Sequence, residues 1–441
     1  MSSTAEAAGL IRPAPLVPAR PRSGASLAPA TRGRLQRCYP LRYLGLMGVC
    51  LVLMKPIMVG QDPSLAPLVK VATAGVLAGL ALLYLVRRTA LSTVLVLFVL
   101  YRLSFLAPTV YRGGDLLNWG YTTLSQLGLV MLIDLHAQAD GESRRRLLRV
   151  IADLLLAYLL VNYVMIMTGT GAVAPLGDGL YDQHSYLLGI RTRVTDCIFP
   201  AVLVSLLHDS TTARRWGWRT VLAIATGVVQ IVTLQVATAY VGLAVALVFY
   251  ALVLARPRRG GLLSMRGVTV LGVAVSVLVV LLRVQTAFAP AIRVLLGKSV
   301  DLTGRTDIWD TALPILGRSP LLGYGINDSF GAFVPGAAGL LWQAHNQYLQ
   351  IIHDGGLVAL GLFLALLTAA SARADASACS PWARAALVSV YAAMSVMAVS
   401  EIYVYNMGLF FLIPFLASRA GELLPPDDER RGMHGLPVTA G

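Results

Sequence analysis

Apolar runs of about 20 residues, each long enough as a helix to cross a hydrocarbon core some 30 Å thick, recur along almost the whole chain. They fall at 42–60, 65–86, 89–108, 115–135, 147–168, 186–208, 218–235, 237–255, 267–286, 348–370, 384–403 and 405–420. A backbone that leaves water must satisfy its N–H and C=O groups internally, and runs of this length do so as helices. Composition agrees, since 56% of the 441 residues are hydrophobic and 13% charged, against about a quarter charged in a soluble domain. The reading is all-α: a polytopic integral membrane protein of about twelve transmembrane helices. The first run, Leu41 to Gly60, lacks a small-residue cleavage site and is followed by further spans, so it reads as an uncleaved anchor.

A formal net charge of +14 would suggest a nucleic-acid partner in a soluble protein. Here the positive-inside rule accounts for most of it, and no nucleic-acid partner is expected. With the N-terminus in the cytoplasm, Arg87 and Arg88, Arg144 to Arg146 with Arg149, Arg214, Arg215 and Arg219, Arg256 to Arg266, Arg373 and Arg384 all fall on the same side as both tails. Residues 1–40, rich in Ala, Pro and Arg without apolar periodicity, read as a disordered basic cytoplasmic tail, and 421–441 as a second cytoplasmic tail. Cys38, Cys50, Cys197 and Cys379 lack the spacing of a zinc site or a disulfide framework.

Between spans 1–9 (41–286) and spans 10–12 (346–420) lies the one long connection, 287–345, expected on the outer face. Loops this long are uncommon unless functional or disordered. Thr303 to Leu313 reads as a short amphipathic helix with Thr or Asp available for capping, ended by Gly317 or earlier by Pro314. No repeat symmetry of the transporter kind is evident.

This loop is where chemistry is expected. Arg305 near a helix N-terminus combines a bidentate guanidinium with exposed backbone N–H groups and suits a phosphate or diphosphate; the alternative is a surface pair with Asp301 or Asp307. His345, expected in the first turn of the tenth span, would be kept neutral by the helix dipole and so able to take a proton from a hydroxyl, with Asn346 or Asp354 orienting the ring or the acceptor. The alternative is an interfacial histidine at a helix cap. Arg191 and Arg193 lie at the outer end of the sixth span, where charge is costly and faces a cavity or a partner; one reads as a second anion contact, against an Arg193–Asp196 structural pair. Glu401 is available to organise one of these arginines. Arg318 and Tyr324 complete the candidate substrate contacts, although Tyr324, Trp342, Tyr403 and Tyr405 also suit an aromatic interfacial belt. Lys55, Lys70, Arg102 and Arg283 read as snorkelling side chains without a role.

No Walker A motif, dinucleotide fingerprint or metal-holding Asp-x-Asp pair is present. Neither a metal nor another cofactor is expected. Energy must then arrive with the substrate, as in a donor activated by a lipid-linked diphosphate whose leaving charge the arginines stabilise.

Gly304-Arg305, Trp309, Pro320, Gly323-Tyr324-Gly325, His345-Asn346-Gln347-Tyr348-Leu349 and Asp354-Gly355-Gly356 together resemble the O-antigen ligase/polymerase family of bacterial envelope glycosyltransferases. The resemblance covers about 280–370. It implies an inner-membrane enzyme with an outward-facing site and an undecaprenyl-diphosphate-linked glycan donor, passed to a glycan or lipid-glycan acceptor among membrane lipids. It also implies a diphosphate contact for Arg305 and a base or acceptor-site role for His345, with Arg191 or Arg193 resembling an upstream arginine. The chain departs from the family where a Ser-Arg pair often opens the span beginning here Ala237-Thr238-Ala239-Tyr240, and where Glu often stands at Asp354. A polymerase reading leads over a ligase, because nothing in the loop suggests recognition of one particular core. A flippase for lipid-linked oligosaccharides is the alternative from another class.

Overall fold

The computed structural model describes residues 29–174, 183–212, 216–256, 260–290, 294, 305–326, 343–405 and 407–424. Residues 1–42 and 43–441 form separate units, and every candidate residue belongs to the second. The helices in chain order are α1 (Pro29–Leu53), α2 (Ile57–Gln61), α3 (Ala66–Arg87), α4 (Thr93–Ser104), α5 (Leu106–Tyr111), α6 (Leu116–Ala137), α7 (Gly141–Thr168), α8 (Thr195–Thr211), α9 (Trp218–Leu234), α10 (Ala237–Ala255), α11 (Met265–Val280), α12 (Arg305–Leu316), α13 (Gln347–Ala376), α14 (Pro381–Met397), α15 (Leu412–Ser418) and α16 (Ala420–Leu423). Each of the twelve apolar runs contains helix. Among the described residues, Ala66–Arg87, Thr93–Tyr111, Gly141–Thr168, Ala237–Ala255 and Gln347–Ala376 are long and apolar enough to cross a membrane.

The helices start where the sequence supplies oxygen-bearing caps. Ser92, Asp115, Asp140, Ser264, Asn346 and Ser380 each accept a backbone N–H of the first turn, a contact that contributes about 1 kcal/mol per helix. Outward faces of α3 and α10 carry large apolar side chains such as Leu85, 75% exposed, and Leu247, 63% exposed, which suits a lipid surround rather than water. Inside, Phe98 of α4 meets Phe411 and Phe415 edge-on at 5.3 and 5.4 Å, and Tyr101 lies 5.5 Å from Phe363 of α13. Such pairs add about 0.5–1.5 kcal/mol each beyond burial and fasten α4 against α13 and α15.

Cross-links sort the helix ends into two sets. At one end, Asp375 of α13 accepts the Met265 and Arg266 N–H groups that open α11, Arg219 of α9 pairs with Asp153 of α7, and Arg419 pairs with Asp134 of α6. At the other, the Asn346 amide donates to Ser276 of α11 (3.0 Å) and to the Val399 carbonyl after α14 (2.9 Å), and Gln347 N–H donates to Ala398 O. The second end carries Arg305, His345 and Glu401.

Several runs are not helical throughout, the sixth and the first among them. The run 186–208 opens in a three-stranded antiparallel sheet, β1 (Ala172–Ala174), β2 (Gln183–Tyr186) and β3 (Gly189–Ile190), followed by a 3₁₀ turn at Arg191–Arg193, and α8 begins only at Thr195. Gly189, at φ +91° and against Ile57, permits the tight turn that hydropathy alone reads as a continuing span. The first run breaks between Leu53 and Ile57, around Pro56, whose ring removes a backbone donor.

α13 is interrupted at Gly356 (φ 68°, ψ −171°). Two rungs of its ladder are lost there, Leu357 N to His353 O and Val358 N to Asp354 O. The segment 320–325 inserts and takes both: Tyr324 and Gly325 N–H donate to His353 O and Asp354 O at 2.6 and 2.9 Å, while Leu357 and Val358 N–H donate to Pro320 O and Leu321 O at 2.7 and 3.3 Å. All four groups stay paired, as a break in a buried helix requires. A Cβ on Gly356 would lie 2.0 Å from Leu321 O, and one on Gly323 2.4 Å from His353 O. Gly323 and Gly356, one from each motif, are therefore seams of this insertion.

Candidate active site

α12 delivers Arg305 as its first residue, and the helix runs through Pro314 to end before Gly317. Pro314 is tolerated because it sits in the last turn, where only one rung is lost. α12 is tied to the next segment by Trp309, fully buried, whose indole N–H donates to Ala344 O at 2.9 Å. Arg283 stacks over the Trp309 ring and pairs with Asp310.

Beside that anchor, His345 adopts φ +45°, a left-handed conformation that costs a non-glycine residue about 1–2 kcal/mol. It lies just before the α13 N-cap rather than in the first turn, because Asn346 is the cap. Glu401 stands between the two candidate catalytic residues. Its Oε1 pairs with the Arg305 guanidinium, and its Oε2 lies 4.0 Å from His345 Nδ1. The Glu401 side chain is 3% exposed, so the pair is well shielded from water.

Partial burial, with Arg305 and Arg193 adding to it, holds the His345 pKa below its ordinary value, while Glu401 opposes. The ring is therefore neutral at pH 7. Nδ1 is buried without a hydrogen-bond partner among the described residues, so the 35% exposure of the side chain is carried by the rest of the ring. A proton on Nδ1 facing Glu401 leaves the Nε2 lone pair for substrate.

Arg193 reaches the same place from the turn after β3. It donates to Ile402 O at 2.6 Å, next to Glu401, and to Gln343 Oε1 at 2.9 Å. Arg191 is exposed. Of the two, Arg193 is thus the arginine brought near His345, and Glu401 pairs with Arg305 rather than with either residue of the Arg191–Arg193 turn.

The other candidates lie elsewhere. Asn346 is fully buried with its amide committed to the cap and to α11 and α14, so it does not orient His345. Asp354, two turns along α13, accepts from His353 Nδ1 (2.6 Å), Gln350 Nε2 (3.0 and 3.1 Å) and Tyr405 OH (2.5 Å). Tyr324 stacks on His353 and donates to Ile315 O at 2.7 Å, and Arg318 is exposed in the turn after α12. Trp342 and residues 301–304 lie outside the described residues.

Several residues that sequence reasoning passed over prove structural to the site. Gln350 links its two halves, accepting Ala344 N–H at 2.9 Å while donating to Asp354. Arg102 does not snorkel: it is 1% exposed and donates to Thr122 and Thr123 hydroxyls and to Trp119 O. Its position in the middle of an apolar run was the available signal. Among the described residues, no three His, Cys, Asp or Glu side chains gather as a metal site would need.

Residues 221–364 match the family model described as O-antigen ligase. The matched stretch runs from α9 into α13 and contains Arg305, His345, Asn346 and Asp354, whereas Arg193 and Glu401 lie outside it. No curated protein and no solved structure matches the chain.

Proposed function

We propose that this chain, whose ligase domain at 221–364 supports the O-antigen ligase/polymerase family, transfers a glycan from a polyprenyl-diphosphate carrier to a sugar hydroxyl. At family level the domain supports an O-antigen ligase-like membrane glycosyltransferase. The observation that carries the finer reading is the convergence of Arg305, Arg193 and Glu401 on a neutral His345 at one end of the bundle.

In this reading His345 Nε2 takes the proton of the acceptor hydroxyl as its oxygen bonds to the anomeric carbon of the donor. The bond from that carbon to the diphosphate oxygen breaks, and the polyprenyl diphosphate leaves with the electron pair. Arg305 and Arg193 stabilise the departing charge, which removes the need for a metal. Glu401 keeps Arg305 in place and favours the Nδ1–H tautomer of His345.

Charge supports an orientation. The opposite end of the bundle carries Arg144 to Arg146, Arg219, Arg266 and Arg419, so the positive-inside rule favours reading that end as cytoplasmic and the site as outward-facing. The chain then makes about twelve passes through the inner membrane of a bacterium, with 287–345 as its large outer loop. A polymerase is the leading reading within the family.

Purified protein in nanodiscs, given an undecaprenyl-diphosphate-linked repeat unit alone and then with a candidate acceptor, tests this by mass spectrometry of the products. Longer lipid-linked glycans without acceptor identify a polymerase, and transfer only with acceptor a ligase. An unchanged donor that crosses liposome membranes instead makes the protein a flippase and overturns the reading.

A further inference from the structure

At the same end of the bundle, a cavity of about 180 Å³ lies between the α1–α2 corner, the start of α6, α13, Tyr405 and Met407. Besides the Tyr121 and Thr122 hydroxyls, polar groups on its wall come from Lys55, Gln61, Asn118, Gln350, Asp354 and Tyr405. Lys55 donates to Ser125 Oγ at 3.1 Å and stands 3.7 Å over the Tyr121 ring, which leaves part of its three-donor capacity unused. The side-chain amides of Gln61 and Asn118 make no hydrogen bond with a described residue. Tyr405 donates to Asp354, leaving its own oxygen lone pairs to accept.

These groups exclude most occupants. An anion would meet the Asp354 carboxylate, and a cation would meet the hydrogen-bearing nitrogen of Lys55, which already donates to Ser125. A hydrocarbon would bury two amides without partners, which is unfavourable. What remains is a neutral molecule whose groups both donate and accept, as vicinal hydroxyls do, with an aromatic wall at Tyr121. The volume is below the roughly 300–1,000 Å³ of pockets for larger ligands, so it admits one ring.

We propose that this cavity is a monosaccharide subsite, binding one neutral pyranose of the glycan substrates through Lys55, Gln61, Asn118 and the Tyr405 hydroxyl. It adjoins the chemistry through two connections. Gln350 lines the cavity and holds Ala344 N–H, one residue before His345; the chain that leaves Glu401 supplies Tyr405 and Met407. The assignment rests on the glycan-transfer reading for its choice of substrate and on the cavity alone for its chemistry.

The test uses the full-length protein in nanodiscs with methyl glycosides of glucose, galactose, mannose and N-acetylglucosamine, titrated by calorimetry. At least one is expected to bind, Asn118→Leu and Gln61→Leu to weaken it at least tenfold, and His345→Ala to leave it unchanged. Gln61 is exposed on α2, so its variant keeps the test open if Asn118→Leu does not fold. No binding by the wild type, or binding that ignores both substitutions, overturns the proposal. Steady-state transfer then identifies the source of the sugar: a raised KM for acceptor marks an acceptor subsite and a raised KM for donor a donor subsite, whereas a loss confined to kcat overturns both. A wild type that binds a glycoside but transfers no glycan removes the transfer reading and leaves the subsite standing.

Discussion

Oε2 of Glu401 lies 4.0 Å from Nδ1 of His345, on the side of the ring opposite Nε2. Burial lowers the His345 pKa below its ordinary 6.5 and Glu401 raises it. A base acts when neutral, so the transfer rate should fall only as pH drops below 6.5. Glu401→Gln removes the raising influence, and the acid limb should move to still lower pH. A pH–rate profile of both proteins checks this; a limb that moves up in the variant places Glu401 in another role.

Arg305→Lys keeps the charge but loses the planar fork. Hydrogen bonds to charged groups contribute about 1.5–3 kcal/mol, so turnover should fall roughly tenfold to a hundredfold. Normal transfer by a properly inserted variant would remove Arg305 from the site.

Gly356→Ala places a Cβ 2.0 Å from Leu321 O at φ +68°. Loss of the inserted segment would unpair up to four backbone groups, and the conformational strain alone costs about 1–3 kcal/mol. Thermal unfolding in detergent should show a clear fall in Tm, larger than for Gly361→Ala, where a Cβ meets nothing within 4 Å. Equal effects at the two positions would contradict the insertion.

Transfer should survive chelation of divalent cations, because the arginines carry the leaving charge. Complete loss with EDTA, restored by a metal, would contradict that assignment.

Much of the helical plan was legible because apolar runs of spanning length report on themselves, residue by residue. The α12 helix was also readable, although Pro314 does not end it. The start of α8 was not: Tyr186 to Ile190 is apolar enough for a span, but Gly189 and the β2–β3 hairpin turn it into sheet. Within the site, Arg305 and His345 stood out because a charge and a titratable ring sat in a long loop. Their coupling did not, since Glu401 lies 96 residues from Arg305 and nothing local relates them. The glycine motifs stood out in sequence only through the family resemblance, and the broken rungs at His353 and Asp354 reveal Gly323 and Gly356 as packing. Asn346 misled for the same reason, because a residue beside a candidate base in sequence caps a helix in space.

The central claim is that His345 takes the acceptor proton. The most direct test is single-turnover transfer of a labelled glycan by His345→Ala and wild type in nanodiscs with donor saturating. General-base catalysis contributes about 10²–10⁴-fold, so the variant should lose at least a hundredfold in rate with donor affinity retained. A rate within twofold of wild type would contradict the account.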